Sequence, residues 1–260
     1  MQKAVILMAL VSSAAAAQSP SFEAASIRPN NSGENFISVR LIPGGSVRAL
    51  NATLEAVITT AWQIPDFELA DVPSWVKSER WDIEAKGSGD APPPETLRKL
   101  QSLLADRFHL RVHTETREMP IYALLIAKGG PKLPPAHEEC FDPTAGIPPP
   151  SPMARPCGGF NRSPNQLLGE ADTTANLAQV LAKTLGRSVI DKTGPTGTWD
   201  VTLKWTPDEL APDSNNDTGS IFTALQEQLG LRLESQKGPV SVLVIDSAAM
   251  WGRMASCRRL

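Results

Sequence analysis

The spacing of apolar residues predicts four amphipathic helices along the chain. In the first, Leu54, Val57 and Ile58 recur three and four residues apart, so that their side chains share one face of a helix. The other three predicted helices contain residues 97–108, 177–185 and 221–229. Shorter stretches between the helices alternate apolar and polar residues, which is typical of strands with one buried face.

One alternating stretch is spelled twice, as RWDIEAK at residues 80–86 and as TWDVTLK at residues 198–204. In both copies every second residue is apolar, so one set of side chains is predicted to face the helices and the other to face water. Asp82 and Asp200 follow the tryptophan in the two copies. The repeated Trp-Asp pair therefore needs either a structural or a functional reason.

The Trp-Asp strand belongs to a longer repeat. In each half of the chain a strand, a helix, two strands and a second helix follow in the same order, and each half ends in a polar strand and an apolar strand. These last strands are LRVHTE at 110–115 and IYALLIAK at 121–128, and LRLESQ at 231–236 and VSVLVID at 240–246. We therefore predict an α+β fold of two tandem strand-helix-strand-strand-helix-strand-strand units, with the helices on one face of each small sheet.

The repeat also predicts how its second helices end and where its apolar end strand lies. Five residues separate Leu104 from Leu110, whereas only Gly230 separates Leu229 from Leu231, so the helix of the first unit should run about one turn longer. Gly230 is predicted to end the helix of the second unit as its C-cap. The stretch IYALLIAK is too hydrophobic for a bare sheet edge, so we expect it to be central or covered.

The chain divides into six predicted segments. Residues 1–17 carry one lysine, an apolar run and a string of alanines, which is typical of a secretory signal peptide, so we expect an exported protein, periplasmic or extracellular. After this segment, no stretch is long and apolar enough to cross a membrane. The other segments are N-terminal strands at 18–45, the first unit at 46–128, a Pro- and Gly-rich connection at 129–164, the second unit at 165–248 and a C-terminal tail at 249–260.

The net charge of the chain argues against two classes of partner. The 260-residue chain has a formal net charge of −3 and no basic run, which argues against nucleic acid and anionic membrane surfaces as partners.

Cys140 and Cys157 bracket the Pro- and Gly-rich connection and are the candidates for a disulfide in an exported protein. Cys257 would be left over, and the alternative is that all three cysteines are unpaired.

The sequence carries no recognisable catalytic motif, and we predict no catalytic residues, no bound metal and no cofactor. It lacks a Gly-x-Ser-x-Gly motif, a phosphate-binding loop and a dinucleotide fingerprint. His109 and His113 have the spacing of zinc ligands on a helix, but the residues between them favour a strand, which would separate them by roughly 13 Å. Asp82 and Glu84 could form an acid pair on one strand face. The favoured interpretation is that Asp82 and Asp200 bind neighbouring backbone amides.

Tryptophan is in surplus, with six Trp against one Tyr. Trp62, Trp75 and Trp81 cluster in the first unit, where core packing would use one or two of them and leave a candidate for a binding surface. Trp75 follows Pro73 in a turn-like segment and is expected to be the most exposed of the three. The alternative is that all of them pack under the helices.

Several blocks of the chain resemble a known family. FEAASIRPN at 22–30, PSWVKSERWDIEAK at 73–86 and GRSVIDKTGPTGTWDVTLKW at 186–205 are similar to blocks of a large family of exported proteins of unknown function that expanded in soil Acidobacteria. The resemblance covers nearly all of the mature chain and implies no established activity. The order of elements in each unit also resembles the short N-terminal domain of secretins and TonB-dependent receptors, which implies a fold that binds partners.

These observations favour an exported, non-enzymatic binding or interaction module of the cell envelope, with a protein or a small ligand as its partner. Binding would use edge strands or the sheet face that the helices leave uncovered. Two alternatives stay open. One is a secreted hydrolase with a site at the junction of the two units, and the other is an envelope assembly or sensing component.

Overall fold

The structure is a computed structural model that describes residues 20–87, 89, 91–136, 158–194, 197–206 and 220–249. The helices of this part are α1 (Leu54–Trp62), α2 (Ser74–Ser78), α3 (Pro93–Arg107), α4 (Thr174–Leu185) and α5 (Ile221–Leu229), with a 3₁₀ turn at Asp66–Glu68. The strands are β1 (Ala24–Pro29), β2 (Ser38–Ile42), β3 (Ser46–Thr53), β4 (Leu69–Ala70), β5 (Arg80–Lys86), β6 (Arg111–Ile126), β7 (Phe160–Ser163), β8 (Gln166–Asp172), β9 (Val189–Asp191), β10 (Trp199–Lys204) and β11 (Leu231–Ser247). This mixture of helices and several small sheets is the predicted α+β class.

The chain divides into two compact units. The first comprises the described residues within 1–64, 71–112 and 245–260, and the second those within 65–70 and 113–244. These limits differ from those of the predicted repeats, because β6 ends the first repeat yet forms its sheet chiefly within the second unit. Among the described residues, no helix is both long enough and apolar enough to span a membrane.

The first unit is built on an antiparallel sheet with the strand order β1-β5-β3-β2. The alternation expected from the sequence is present in β5, where Trp81, Ile83 and Ala85 are buried and the residues between them are more exposed. α1 and α3 pack against each other and against β3. Fully buried side chains such as Leu54 and Leu100 join this core, each contributing about 1.5–3 kcal/mol to folding.

The second unit contains the same sheet in shorter form. Its strands run in the order β10-β8-β7, the counterpart of β5-β3-β2. The outer neighbour of the Trp-Asp strand is also kept, since Pro29 pairs with Trp81 in the first unit and Pro135 forms an isolated bridge with Trp199 in the second. The shared strand order confirms the predicted tandem repeat. One element was missed: the connection predicted at 129–164 ends in β7, an edge strand that begins after its last glycine.

A further sheet, in the order β4-β11-β6-β9, carries the longest strands. Its short outer strands are exchanged between the repeats: β4 runs parallel to β11, and β9 runs parallel to β6. β6 and β11 are antiparallel, because Ala127 N–H donates to Gly230 O at one end (2.9 Å) and Ala249 N–H donates to Phe108 O at the other (2.7 Å). The apolar end of β6 therefore lies in the interior of a sheet, as predicted.

The prediction of two separate strands at the end of each repeat is wrong. β6 and β11 are single strands of 16 and 17 residues. In β11 the pair Gly238 and Pro239 separates the polar half from the apolar half without ending the strand. Gly238 permits a close approach instead, since a Cβ on it would lie 2.6 Å from Cδ1 of Ile121 on β6. The polar half of β6 has no glycine that could turn the chain.

The ends of the second helices agree with the predictions. α3 continues three residues past Leu104 to Arg107, whereas α5 stops at Leu229, so the helix of the first repeat is about one turn longer at this end. Gly230 caps α5 with φ = 63°, and its N–H donates to Leu225 O. A Cβ at this glycine would collide with the carbonyl oxygen of Gly130.

We expect Gly230→Ala to lower the stability of the protein more than Gly186→Ala. Both glycines cap a helix at nearly the same positive φ, 63° and 62°, so both substitutions carry a similar backbone penalty of about 1–2 kcal/mol. Only at Gly230 would the added methyl group meet a carbonyl, because a Cβ on Gly186 has no neighbour within 4 Å. Urea unfolding of the two variants measures the difference, and equal losses would contradict the close approach at Gly230.

Candidate binding site

In the first repeat, the aspartate of the Trp-Asp pair binds a backbone amide in the neighbouring strand. The register between β3 and β5 shifts between Ala49 and Ala52, which leaves two residues of β3 opposite Asp82. One of them, Asn51, has φ = 50° and is only 4% exposed, and its N–H donates to Asp82 Oδ1 at 2.8 Å. A buried N–H that leaves the ladder at a bulge needs another acceptor, and the carboxylate supplies it.

The second repeat builds the same contact. The register of β8 against β10 shifts between Gly169 and Asp172, and Ala171 has φ = 49°. Its N–H donates to Asp200 Oδ1 at 3.0 Å. The prediction that Asp82 and Asp200 bind neighbouring backbone amides is confirmed, and this contact explains why the Trp-Asp pair occurs twice.

The bulge lies directly before the first helix of each repeat. Thr53 caps α1 by accepting the N–H of Ala56 at 3.2 Å, and Thr173 caps α4 by accepting the N–H of Asn176 at 3.1 Å. In both repeats the residue at the bulge is two positions before this threonine. The carboxylate contact therefore sets the place where the strand ends and the helix begins.

In the first repeat Asn51 also binds the loop between β1 and β2. Its Nδ2 donates to the carbonyl oxygens of Glu34 (2.5 Å) and Phe36 (3.0 Å). The start of the loop is fixed by Asn30, whose Nδ2 donates to Asp82 Oδ1 at 2.8 Å. Asp82 thus joins three segments of the first unit that are distant in sequence.

These contacts favour the ionised form of Asp82. The N–H of Asn51, followed by the side-chain amide of Asn30, holds the pKa of Asp82 below its usual value, and the charge of Arg28 acts in the same direction. A general acid near neutral pH requires a raised pKa. The lowered pKa of Asp82 therefore suits a structural carboxylate.

A cavity of about 740 Å³ lies between this loop and the start of β5 in the first unit. Arg80 Nη1 donates to Asn51 O at 3.2 Å, so polar groups of the wall bind one another. Trp81 contributes an aromatic surface to the lining. Both polar and apolar groups line the cavity, and the lining includes Asn30, Glu34, Asn51, Glu79, Arg80 and Trp81.

The three tryptophans predicted for binding occupy different environments. Trp81 is 7% exposed and packs edge-on against Phe108, with ring centroids 5.2 Å apart. Trp75 is half-buried and stacks on the same Phe108 at 6.5 Å, and Trp62 is half-buried at the end of α1. The expectation of a turn at Trp75 is wrong, because Pro73 provides the N-cap of α2 and Trp75 lies in that helix. The structure brings Trp75 and Trp81 together around one aromatic ring.

Exposed apolar side chains gather at one edge of the first sheet. Among the described residues, the exposed large hydrophobic side chains all fall between residues 36 and 50, and they are Phe36, Ile37, Leu41, Ile42 and Leu50. Four of the five lie in or just before β2, the outermost strand of the sheet. We call this surface, residues 36–42, the apolar edge. An outermost strand presents unpaired backbone groups to a partner, here with apolar side chains beside them.

The counterpart of the apolar edge in the second unit is protected. In β7 the apolar residue Phe160 packs over Gly169, where a Cβ would lie 2.5 Å from Cε1 of the ring, and three exposed polar residues follow it. The apolar edge is thus specific to the first repeat. Sequence reasoning missed it, although the stretch FISVRLI at 36–42 carries the signal, since apolar residues there occupy both faces of a strand.

Other predicted residues fall outside the part of the chain that the structure describes. They include the disulfide candidates Cys140 and Cys157, the remaining Cys257 and the signal peptide at 1–17. Within the described part, groups of three or more side chains that could hold a metal ion are absent.

A family model described as protein of unknown function, DUF3738, matches residues 55–248. No curated protein and no solved structure matches the chain. The match begins in α1 and ends just after β11, so it spans most of both repeats, whereas the apolar edge at 36–42 lies before it.

Replacing Asp82 by alanine should destabilise the protein by about 1–3 kcal/mol, because the buried N–H of Asn51 loses its acceptor. Glu84→Ala is the matched control on the same face of β5. It removes an exposed ion pair with Arg48 at 3.0 Å, a contact worth about 0–1 kcal/mol. Chemical unfolding measures both variants, and a loss for Glu84→Ala as large as that for Asp82→Ala would contradict the role of the amide contact.

The stabilisation by Asp82 should also depend on pH. Because the folded pKa is lowered, the charge-dependent contribution is complete above the unfolded pKa of about 3.9 and is lost as the pH falls through the folded value. The difference in unfolding free energy between wild type and Asp82→Asn should therefore be constant near neutral pH and shrink below about pH 4. A difference that grows on acidification would show that the pKa is not lowered.

Proposed function

The chain belongs to the family described as protein of unknown function, DUF3738, and we propose that it is an exported, non-enzymatic binding module of the cell envelope. The partner binds at the apolar edge of the first unit. Binding adds a strand to the sheet beside β2. The cavity beside the loop is a second concave surface of the same unit.

The observation that supports this proposal is the exposure of β2. Soluble proteins protect their outermost strands with charges, prolines, bulges or a covering segment. Leu41 is 36% exposed and Ile42 is 39% exposed, and as consecutive strand residues they point to opposite faces of the sheet. A partner strand beside β2 would pair the free backbone groups and cover both side chains, which is the mode of binding known as strand addition.

The carboxylates of the first unit favour binding over hydrolysis. The acid pair considered from the sequence, Asp82 and Glu84, consists of two groups with separate partners. Asp82 accepts two amide N–H groups and has a lowered pKa, which is the opposite of what a general acid requires. Glu84 pairs with Arg48 at the surface. A secreted hydrolase would have to place its chemistry elsewhere.

Export and location are part of the proposal. They rest on the signal-peptide pattern of residues 1–17 and on the resemblance to exported proteins that expanded in soil Acidobacteria. The element order of each repeat, which resembles the short N-terminal domain of secretins and TonB-dependent receptors, supports a role in binding a protein partner. A role in envelope assembly would follow if that partner were a fixed component of a larger complex.

The apolar edge should be required for retention of envelope proteins, whereas the carboxylates should not. We expect the immobilised exported protein to retain a partner from envelope extract, and the double variant Leu41→Thr, Ile42→Thr to lose it. Exposed apolar residues contribute little to folding, so circular dichroism and thermal unfolding of this variant should remain close to wild type. Glu84→Gln is the control and should retain the partner.

The hydrolase alternative is tested in parallel with a panel of ester, peptide and glycoside substrates. We expect no turnover by the wild type. Turnover that Asp82→Asn or Glu84→Gln abolishes would overturn the binding-module proposal. Retention of the same proteins by wild type and by the Leu41→Thr, Ile42→Thr variant would exclude the apolar edge as the binding surface.

A further inference from the structure

We propose that the apolar edge takes up an extended segment of another protein that carries a carboxylate opposite Arg40. This inference rests on the proposed function and adds the chemistry of the partner. Arg40 is the central residue of β2, and its side chain is exposed. The residues around it define which side chains a partner strand must bring.

The cross-strand row of charged residues on β2, β3 and β5 contains two arginines and one carboxylate. Arg40 on β2 lies directly opposite Arg48 on β3, and Arg48 lies opposite Glu84 on β5. Glu84 binds Arg48 at 3.0 Å, so the one carboxylate of this cross-strand row is already paired. In the part of the chain that the structure describes, Arg40 has no ion pair. Two like charges directly opposite each other are unfavourable, and a carboxylate on the open side of Arg40 would relieve them.

The neighbours of Arg40 require apolar residues on the partner. Val39 and Leu41 share one face of β2, and Ile42 shares the other face with Arg40. A strand with Glu or Asp opposite Arg40 would cover Leu41 if its adjacent residues were apolar. It would cover Ile42 if the next residue were apolar as well. The partner segment is therefore a short run of strand-forming apolar residues interrupted by one acid.

A second copy of this chain fits the edge less well. Antiparallel self-pairing centred on Arg40 would put the two Arg40 side chains directly opposite each other. Self-pairing centred on Val39 would put Ser38 opposite Arg40 and bring the apolar residues together, but both Arg40 side chains would remain diagonal neighbours on one face. In either register, Arg40 and Arg48 of one copy lie near the same two arginines of the other copy. The second copy places no carboxylate beside Arg40. Charge therefore favours a different, acidic partner strand.

The second unit offers a matched control for Arg40. Arg162 lies in β7, the strand at the corresponding position of the second sheet, and is also exposed. Its cross-strand neighbour is Leu167, so it belongs to no row of charges. Arg162→Glu changes the net charge of the protein by the same amount as Arg40→Glu and leaves the apolar edge unaltered.

The test uses two labelled, end-capped peptides that differ only at the central residue. One reads Thr-Val-Val-Glu-Val-Val-Thr, and the other has Lys in place of Glu. Their symmetry about the centre makes the result independent of strand direction. Fluorescence anisotropy should show that the exported protein binds the Glu peptide about three- to tenfold more tightly than the Lys peptide, the range expected for exchanging an opposite for a like charge across a strand pair. Arg40→Glu should reverse this preference, and Arg162→Glu should leave it unchanged.

Several results would overturn the inference. These are failure of the Glu peptide to bind, equal affinity for the two peptides, or a reversal by Arg162→Glu as large as that by Arg40→Glu. A concentration-dependent dimer in light scattering that Leu41→Thr abolishes would identify a second copy as the occupant instead. If both peptides bind equally and Leu41→Thr weakens both, the proposed preference for a carboxylate is wrong, whereas binding at the apolar edge is supported. If Leu41→Thr changes neither peptide binding nor retention of envelope proteins, the proposed function fails as well.

Discussion

The structure depends on one interaction that is made twice, the hydrogen bond from a bulged backbone N–H to the aspartate of the Trp-Asp pair. Each repeat must stop a central strand and start a helix within three residues, and the residue at that point takes a positive φ, so its N–H leaves the ladder. Asp82 and Asp200 accept this N–H from the adjacent strand. Without such an acceptor, a polar group in the sheet would stay unpaired at a cost of about 1–3 kcal/mol.

The surroundings of this contact differ between the two repeats because the bulged residue differs. Asn51 has a side-chain amide that reaches the loop before β2, whereas Ala171 has none. The side chain of Asn51 therefore holds the loop that borders the cavity of the first repeat. In the second repeat Phe160 covers Gly169, and exposed polar residues follow it along the equivalent outer strand. The two repeats share the strand order of the sheet, and they differ in the side chains around the bulge and along the outermost strand.

The exchange of short strands explains why the repeats are not the compact units. β4 and β9 have two and three residues, too few to form a sheet alone, and each pairs in parallel with the long strand of the other repeat. The sheet β4-β11-β6-β9 therefore needs both repeats. Parallel neighbours require long connections. Here residues 71–230 connect β4 to β11, and residues 127–188 connect β6 to β9.

The sequence by itself determined the α+β class, the tandem repeat, four of the five described α-helices and the role of the paired aspartates. Helical spacing, alternation and a duplicated Trp-Asp strand are local patterns, and comparing two copies removes much of the ambiguity of a single one. The tertiary structure decided that β6 and β11 are continuous, that their neighbours come from the other repeat, and that Trp75 packs on Phe108. It also decided that β2 is outermost and Arg40 faces Arg48. Strand order and register join residues distant along the chain, so the side chains that a strand leaves uncovered follow from its neighbours and not from its own sequence.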